Sequence, residues 1–256
     1  MTSLFPLKPI GIGSAEVESF NSYFMRLAAA HSLSTAQFSR MLNQYQFGEP
    51  DQKRRLRHDG FGKMVYGVSE VAKRHVGIIT SLTGVDCLER TTILSLRSFI
   101  THSQRHTFHF DRVWCSACFR EDRLSGNEPY DRLLWAICVM DRCPYHNIAL
   151  TSQCPSCSSR QRCFAIRAGL ARCNVCGESL ESDPSQWVHR PNPSFGERDA
   201  CELVEAISNG SLVVSAENPL RQFAVELHEL FPEARWNPAS VRIAAGITPS
   251  SFFTLY

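Results

Sequence analysis

Eight residues that can bind a metal lie within the 62 positions from Cys115 to Cys176. They form four pairs, each with two residues between its members: Cys115 and Cys118, Cys143 and His146, Cys154 and Cys157, Cys173 and Cys176. This spacing lets both members of a pair reach one tetrahedral ion, and two pairs complete a four-coordinate zinc shell. The pattern predicts two zinc ions per chain, one held by three cysteines and a histidine and the other by four cysteines.

Disulfides or ordinary buried thiols are the alternative, but four pairs of identical spacing, one of which carries His, favour zinc. A shell of four protein ligands leaves no position for an activated water, so both ions are predicted to be structural. A metal-dependent hydrolase needs an open coordination position, and the sequence offers no His-Glu-x-x-His motif or carboxylate cluster to create one. We therefore expect no catalytic residues and no enzyme activity.

The 256 residues and 11 cysteines of the chain are typical of an intracellular protein with two or three small parts. The sequence shows no N-terminal signal pattern, and its longest apolar run, residues 133–140, is too short to span a membrane. The cysteines outside the four pairs are expected to be packed thiols. These features predict a cytoplasmic protein without a membrane partner.

Charge is distributed unevenly along the chain, although the formal net charge is only +2. Residues 196–256 contain eight acidic residues and four arginines, so the N-terminal and zinc-bearing part is the basic side of the molecule. That side is the candidate surface for a nucleic-acid backbone. The candidate contacts are Lys53, Arg54, Arg55, Arg57, Arg160, Arg162, Arg167 and Arg172.

Helical periodicity predicts a helix over residues 14–31, with Ser14 as its N-cap. A capping box from Ser34 to Gln37 predicts a second helix. The expected apolar face of that helix is Phe38, Met41, Leu42 and Tyr45. The short connection between the two helices is compatible with a helix-turn-helix, in which the second helix would read a DNA groove.

A third helix is predicted from Ser69 to about Thr83, with Gly84 as its stop and His75 as a core histidine. A short helical piece should follow over residues 88–96, and alternation predicts a strand over residues 104–113. The apolar run 133–140 should pack between the zinc sites and the helices. Further amphipathic helices are predicted over residues 197–207 and 219–231, and the apolar tail 250–256 is expected to dock into a core.

The predicted fold class is mainly α with small β zinc ribbons. The predicted parts are an N-terminal helix-turn-helix-like domain (1–100), tandem zinc-binding modules (101–181), a proline-bearing linker (182–195) and an acidic helical C-terminal region (196–256).

Together these features resemble the TniQ/TnsD family of transposon target-selection proteins. The N-terminal resemblance lies in the proline-led opening, residues 7–20, and in the first helix, residues 22–28. The zinc region resembles the family more specifically, and all eight ligand positions are intact. Its motifs are Trp114-Cys115-x-x-Cys118, Tyr130-x-Arg132-Leu133-x-Trp135, Cys143-Pro144-x-His146-x-x-x-Leu150, Cys154-Pro155-x-Cys157 and Cys173-x-x-Cys176.

The resemblance implies a bacterial, non-catalytic adaptor that is nucleoid-associated when it acts. Such an adaptor links a recognised target to the AAA+ ATPase regulator of the transposon. Some members read target DNA directly, whereas short members dock on a CRISPR effector with its guide RNA, some of them as homodimers. Only about 80 residues follow the second zinc site, which favours the short adaptor type. The alternative is a stand-alone, zinc-dependent, sequence-specific DNA-binding regulator of transposition or transcription.

Overall fold

A computed structural model describes residues 4–47, 67, 69–96, 109, 111–163, 169–189 and 195–212. Within those ranges the molecule is mainly helical and forms no sheet; its extended segments meet only in isolated antiparallel bridges. The predicted β ribbons are therefore reduced there to single bridges, such as Gln153 with Arg160 and Arg172 with Ser179. None of the helices in the described part is long and apolar enough to cross a membrane.

The first helix, α1, spans Phe20–Ala30 and is capped by Ser19, whose hydroxyl accepts a hydrogen bond from the Ser22 N–H. The predicted start at Ser14 is wrong, because Ser14 lies in a turn in which its N–H and hydroxyl both donate to the Gly11 carbonyl. Gly11 has a φ of +70°, and a Cβ there would lie 2.6 Å from the Glu16 carbonyl oxygen. This tight turn prevents the helix from extending further toward the N-terminus.

The second helix, α2, spans Thr35–Phe47 and begins with the predicted capping box. The Ser34 N–H donates to Gln37 Oε1 at 2.9 Å, and the Gln37 N–H donates to Ser34 Oγ at 3.2 Å. Phe38 is fully buried and packs edge-on against Phe24 of α1, with ring centroids 4.9 Å apart. Tyr45 was predicted on the apolar face, but its side chain is 62% exposed.

The third helix, α3, spans Glu70–Thr83 and confirms the predicted boundaries. Ser69 caps its start, and Gly84 ends it in the left-handed conformation, with a φ of 73°. His75 is buried as predicted, with Nδ1 2.8 Å from the Val71 carbonyl oxygen. Burial lowers the pKa of His75 and thereby favours its neutral form.

Shorter elements complete the described fold. Two 3₁₀ turns, Leu88–Thr91 and Leu94–Leu96, form the predicted helical piece, and further 3₁₀ turns lie at Leu133–Ala136 and Pro184–Gln186. Helix α4 spans Ser116–Leu124 and α5 spans Phe195–Asn209, where a helix over 197–207 was predicted. Of the predicted strand 104–113, only positions 109 and 111–113 are described, and none is in a strand; the helix 219–231 and the tail 250–256 lie outside the described residues.

Within the described residues two apolar clusters form the core, and the run 133–140 connects them as expected. Leu133, Leu134 and Met140 belong to the cluster built on α1, α2, α3 and α5. Trp135, from the same run, belongs to the second cluster, which surrounds the paired cysteines. The alternation of side chains in one 3₁₀ turn therefore joins the helical part of the molecule to the cysteine-rich part.

Candidate metal centres

The first predicted ligand set is assembled by one helix and one tight turn. Cys115 is the N-cap of α4 and its sulfur accepts a hydrogen bond from the Cys118 N–H, so both thiols lie at the start of that helix. Cys143 and His146 lie in a turn closed by two hydrogen bonds, from the Asn147 N–H to the Cys143 carbonyl and from the Cys143 N–H to the Ile148 carbonyl.

The four ligand atoms of this set converge on one point. Nδ1 of His146 lies 3.7 Å from the sulfur of Cys115, 3.4 Å from that of Cys118 and 3.6 Å from that of Cys143. The sulfurs of Cys118 and Cys143 are 3.6 Å apart. In a tetrahedral site with metal–sulfur bonds of about 2.3 Å and metal–nitrogen bonds of about 2.0 Å, neighbouring ligand atoms lie roughly 3.5–3.8 Å apart. The observed distances fit one tetrahedral ion.

The second set pairs as predicted and forms a second cluster that could hold a metal ion. The sulfurs of Cys154 and Cys176 are 3.7 Å apart, as are those of Cys157 and Cys173. The second set lies in two turns, one that begins at Cys154 and one that begins at Cys173. In each turn the N–H of that cysteine donates to the carbonyl five residues later, as in the Cys143 turn.

The turns that begin at Cys143, Cys154 and Cys173 share one backbone conformation. The residue four positions after the first cysteine has a positive φ in each of them: Asn147 at 55°, Ser158 at 57° and Gly177 at 79°. A left-handed residue at this point folds the chain back, so that the pair of ligands points inward together. Asn and Gly suit this conformation, and the Asn147 amide oxygen is held by Arg142 Nη1 at 3.0 Å.

The two clusters differ in their exposure to solvent. Cys115, Cys118 and Cys143 are buried, and only His146 of the first cluster is partly exposed. In the second cluster Cys154 and Cys173 are buried, whereas Cys157 and Cys176 are exposed. An ion in the second cluster would therefore be the more accessible of the two.

Hydrogen bonds prepare individual thiols to bind a cation. Burial opposes ionisation of Cys173, but hydrogen bonds from the Ser159 hydroxyl and from the N–H groups of Cys176 and Val175 lower its pKa to about 5. Metal ligands must be thiolates, so these contacts favour the form that binds the ion.

Comparison with known protein families shows the family of this chain. The model of the TniQ family matches residues 9–150, more than half of the chain. The chain belongs to the TniQ family. The match includes the three-cysteine, one-histidine cluster and ends before the all-cysteine cluster. No curated protein matches the chain. Membership of the family indicates a non-catalytic role in target selection during transposition.

In this TniQ chain, two residues near the clusters support the ligands although the sequence analysis assigned them no role. Glu121, three positions after Cys118 on α4, places Oε2 3.3 Å from His146 Nε2. It thereby orients the ring so that Nδ1 faces the thiols. Gln161 is buried and donates from Nε2 to the Cys173 sulfur at 3.2 Å. The spacing of Glu121 from Cys118, nearly one helical turn, is a signal that sequence inspection could have used.

Buried ion pairs fasten the metal region to the rest of the molecule. Arg112 donates from Nε and Nη2 to both carboxylate oxygens of Asp131, each at 2.7 Å. The neighbouring backbone of Asp131 accepts from the Ser19 N–H at 2.8 Å, at the start of α1. On the other side, Arg142 next to the first cluster pairs with Glu197 of α5 at 3.2 Å. The first cluster is thus linked to the N-terminal and C-terminal helices.

Three of the eight predicted nucleic-acid contacts lie in the described part of the chain. Lys53, Arg54, Arg55, Arg57 and Arg167 lie outside the described residues. Arg160, Arg162 and Arg172 are all exposed and flank the second cluster. Arg160 also pairs with Asp111 at 2.7 Å, which offsets part of its charge. The structure therefore places three of the eight candidates around the second cluster, here named the arginine patch, and their role in binding nucleic acid stays a prediction.

Proposed function

We propose that this TniQ chain is a non-catalytic adaptor that connects a target-recognition complex to the AAA+ ATPase regulator of a transposon. The recognition complex is an RNA-guided CRISPR effector or the target DNA itself. The observation that carries this proposal is the pair of closed four-ligand clusters, of which the first is fastened to helices on both sides. Such a block positions surfaces for other molecules and has no open metal position for chemistry.

On this proposal each of the two clusters binds one zinc ion. Thiolate and imidazole ligands in tetrahedral sets of four are the usual environment of structural zinc in proteins. Three thiolates surround one ion and four surround the other, so the second centre carries a formal charge of −2. The exposed arginines around the second cluster, Arg160, Arg162 and Arg172, offset this charge.

The arginine patch (Arg160, Arg162 and Arg172) is the surface proposed to contact the phosphate backbone, together with the basic residues at positions 53–57. An exposed arginine contributes to binding in proportion to the phosphate charge it neutralises, whatever the base sequence. The exposed face of α5 has the opposite character, with Glu202 and Glu205 in solvent, and is proposed to meet protein. Adaptor function requires both kinds of surface on one chain. Homodimerisation would double them and is part of the proposal.

A comparison of two variants with equal charge loss tests whether the arginine patch binds nucleic acid. One triple variant replaces Arg160, Arg162 and Arg172 with alanine; the control replaces Lys73, Arg74 and Arg198, three exposed cations elsewhere in the described structure. Electrophoretic mobility or anisotropy titrations with unrelated DNA and RNA should show weaker binding and a smaller salt slope for the first variant only. Equal affinities for both variants and the unchanged chain would exclude the arginine patch as a nucleic-acid-binding surface.

A second candidate function is a stand-alone DNA reader, and the exposed face of α2 favours it. Arg40, Gln44 and Tyr45 are exposed along this helix. Glutamine and arginine are side chains that read base edges in the major groove. A sequence-specific footprint from the purified chain alone, lost in an Arg40→Ala/Gln44→Ala variant, would establish this function in place of the adaptor role.

A further inference from the structure

A small cavity lies where the N-terminal segment, the metal region and the turn Leu133–Ala136 meet. Its volume is about 20 Å³, and its walls include Ser19, Asn21, Arg112, Asp131, Arg132 and Trp135. A space of this size is on the order of one water molecule. The cavity adjoins neither ligand set: none of the eight metal-binding residues lines it.

Three buried N–H groups belong to residues in the cavity wall and have no acceptor within the described part of the chain. They are Nη1 of Arg112, Nε of Arg132 and Nε1 of Trp135. Their residues are 4%, 4% and 1% exposed. Buried donors in native proteins are almost always satisfied, by protein groups or by an ordered small molecule. Three such donors on residues that line one cavity point to an occupant.

The two guanidinium groups cannot turn away to find other acceptors. Arg112 is held by two hydrogen bonds to Asp131, and Arg132 by two to Asp122. Each planar group is therefore fixed with one nitrogen left for another partner. Because each also has its own carboxylate, the local charge is close to balanced, and either a neutral or a singly charged acceptor can enter.

We propose that this cavity binds one small hydrogen-bond acceptor, a chloride ion or a water molecule, held by Arg112 Nη1, Arg132 Nε and Trp135 Nε1. A chloride ion can accept from all three donors. A water molecule has two lone pairs, accepts from two of them, and can donate in return to the Asn21 amide oxygen in the wall. In both cases the occupant joins the start of α1 to the metal region.

Crystals of the full chain provide the direct test. Diffraction data are collected at the bromine edge from crystals grown in sodium chloride and soaked in sodium bromide. An anomalous peak within hydrogen-bond distance of the three nitrogens identifies an anion site, and ordinary water density at the same point, without an anomalous peak, identifies a water site. An empty cavity, or chain acceptors on all three nitrogens, would overturn the proposal.

A solution experiment separates an occupied cavity from an empty one. Replacing Trp135 by 3-benzothienylalanine keeps the ring shape and removes the N–H. Loss of a satisfied donor lowers Tm, whereas loss of an unsatisfied buried donor leaves Tm unchanged or raises it. The same replacement at Trp114, whose Nε1 donates to the Leu180 carbonyl at 3.0 Å, sets the scale for a satisfied donor. We expect a decrease in Tm at both positions; an unchanged or higher Tm at position 135 contradicts the proposal.

Discussion

Arg132 donates two hydrogen bonds to Asp122, from Nη1 to Oδ2 at 2.7 Å and from Nη2 to Oδ1 at 2.9 Å. The guanidinium carbon of Arg132 also lies 4.0 Å from the centre of the Tyr130 ring. Both charged side chains are buried. Asp122 belongs to the same helix as Cys118, so this pair ties the first metal cluster to the segment that reaches α1. The segment Tyr130-x-Arg132-Leu133-x-Trp135 therefore has a structural role: its Arg132 braces the helix that carries two ligands.

Arg132→Met should destabilise the protein by about 3–5 kcal/mol, because it leaves the Asp122 carboxylate buried without its partner. Arg123→Met is the control: Arg123 pairs with Glu181 but is 54% exposed, and loss of such a solvent-screened pair should cost far less. Urea denaturation in the presence of zinc measures both. Adding Asp122→Asn to Arg132→Met should recover part of the loss; equal costs for the two single variants would contradict this account of Arg132.

Metal content should be two zinc ions per chain, measured by elemental analysis of the purified protein. Cys118→Ala and Cys157→Ala should each remove one ion, because each leaves its cluster with three ligands. Cys87→Ala changes a cysteine outside both clusters and should retain two ions. One ion per chain in the unchanged protein would show that the pairing of the ligands is wrong.

A chelator should remove the two ions at different rates. Cys157 and Cys176 are exposed, whereas the three cysteines of the first cluster are buried, so the second ion is the more accessible. Zinc release into a chromogenic chelator should be biphasic, and the fast phase should be absent from Cys157→Ala. A variant that keeps the fast phase would place the labile ion in the first cluster.

The sequence was most informative where spacing alone dictates geometry. The paired ligands, the capping box at Ser34 and the stop at Gly84 all follow local rules, and the structure agrees with each. The start of α1 was missed because helical periodicity continues through Val17, while the Gly11 turn and hydrogen bonds to a distant segment fix the backbone before Ser19. Tyr45 was misplaced because the periodicity gives a face but not how far along α2 the packing extends.

Side-chain pairs far apart in the sequence could not be predicted from it. Asp131 lies 19 residues from Arg112, and Glu197 lies 55 residues from Arg142. Nothing local marks these residues as partners, since charged residues are usually solvated. Both pairs include one residue of the long insertion between Cys118 and Cys143, so their burial depends on how that insertion packs against Arg112 and against α5.

Glu18 should give the protein a pH dependence that Glu18→Gln removes. Burial raises the pKa of Glu18 from 4.5 to about 7, against the attraction of Arg26. Between these values the folded state retains a proton that the unfolded state releases, so this group makes stability fall as pH rises, by at most about 1.4 kcal/mol per pH unit. Below pH 4.5 both states are protonated, and its effect on the slope vanishes.

The measurement is the difference in unfolding free energy between the unchanged protein and Glu18→Gln from pH 4.5 to 7.5. Both proteins share the metal ligands, whose titration acts in the opposite direction, so the difference isolates Glu18. Arg26 keeps its second partner, Glu128, at 2.8 Å in the variant. A difference that does not change with pH would show that Glu18 is ionised throughout this range.

The adaptor role is the central claim, and reconstitution tests it most directly. The purified zinc-loaded chain is mixed with the AAA+ ATPase regulator and the target-recognition complex of its own transposon, and the species present are measured by native mass spectrometry. The account predicts a complex that contains all three, and no association between regulator and recognition complex when the chain is omitted. Association of those two components without the chain, or a chain that binds neither, would contradict it.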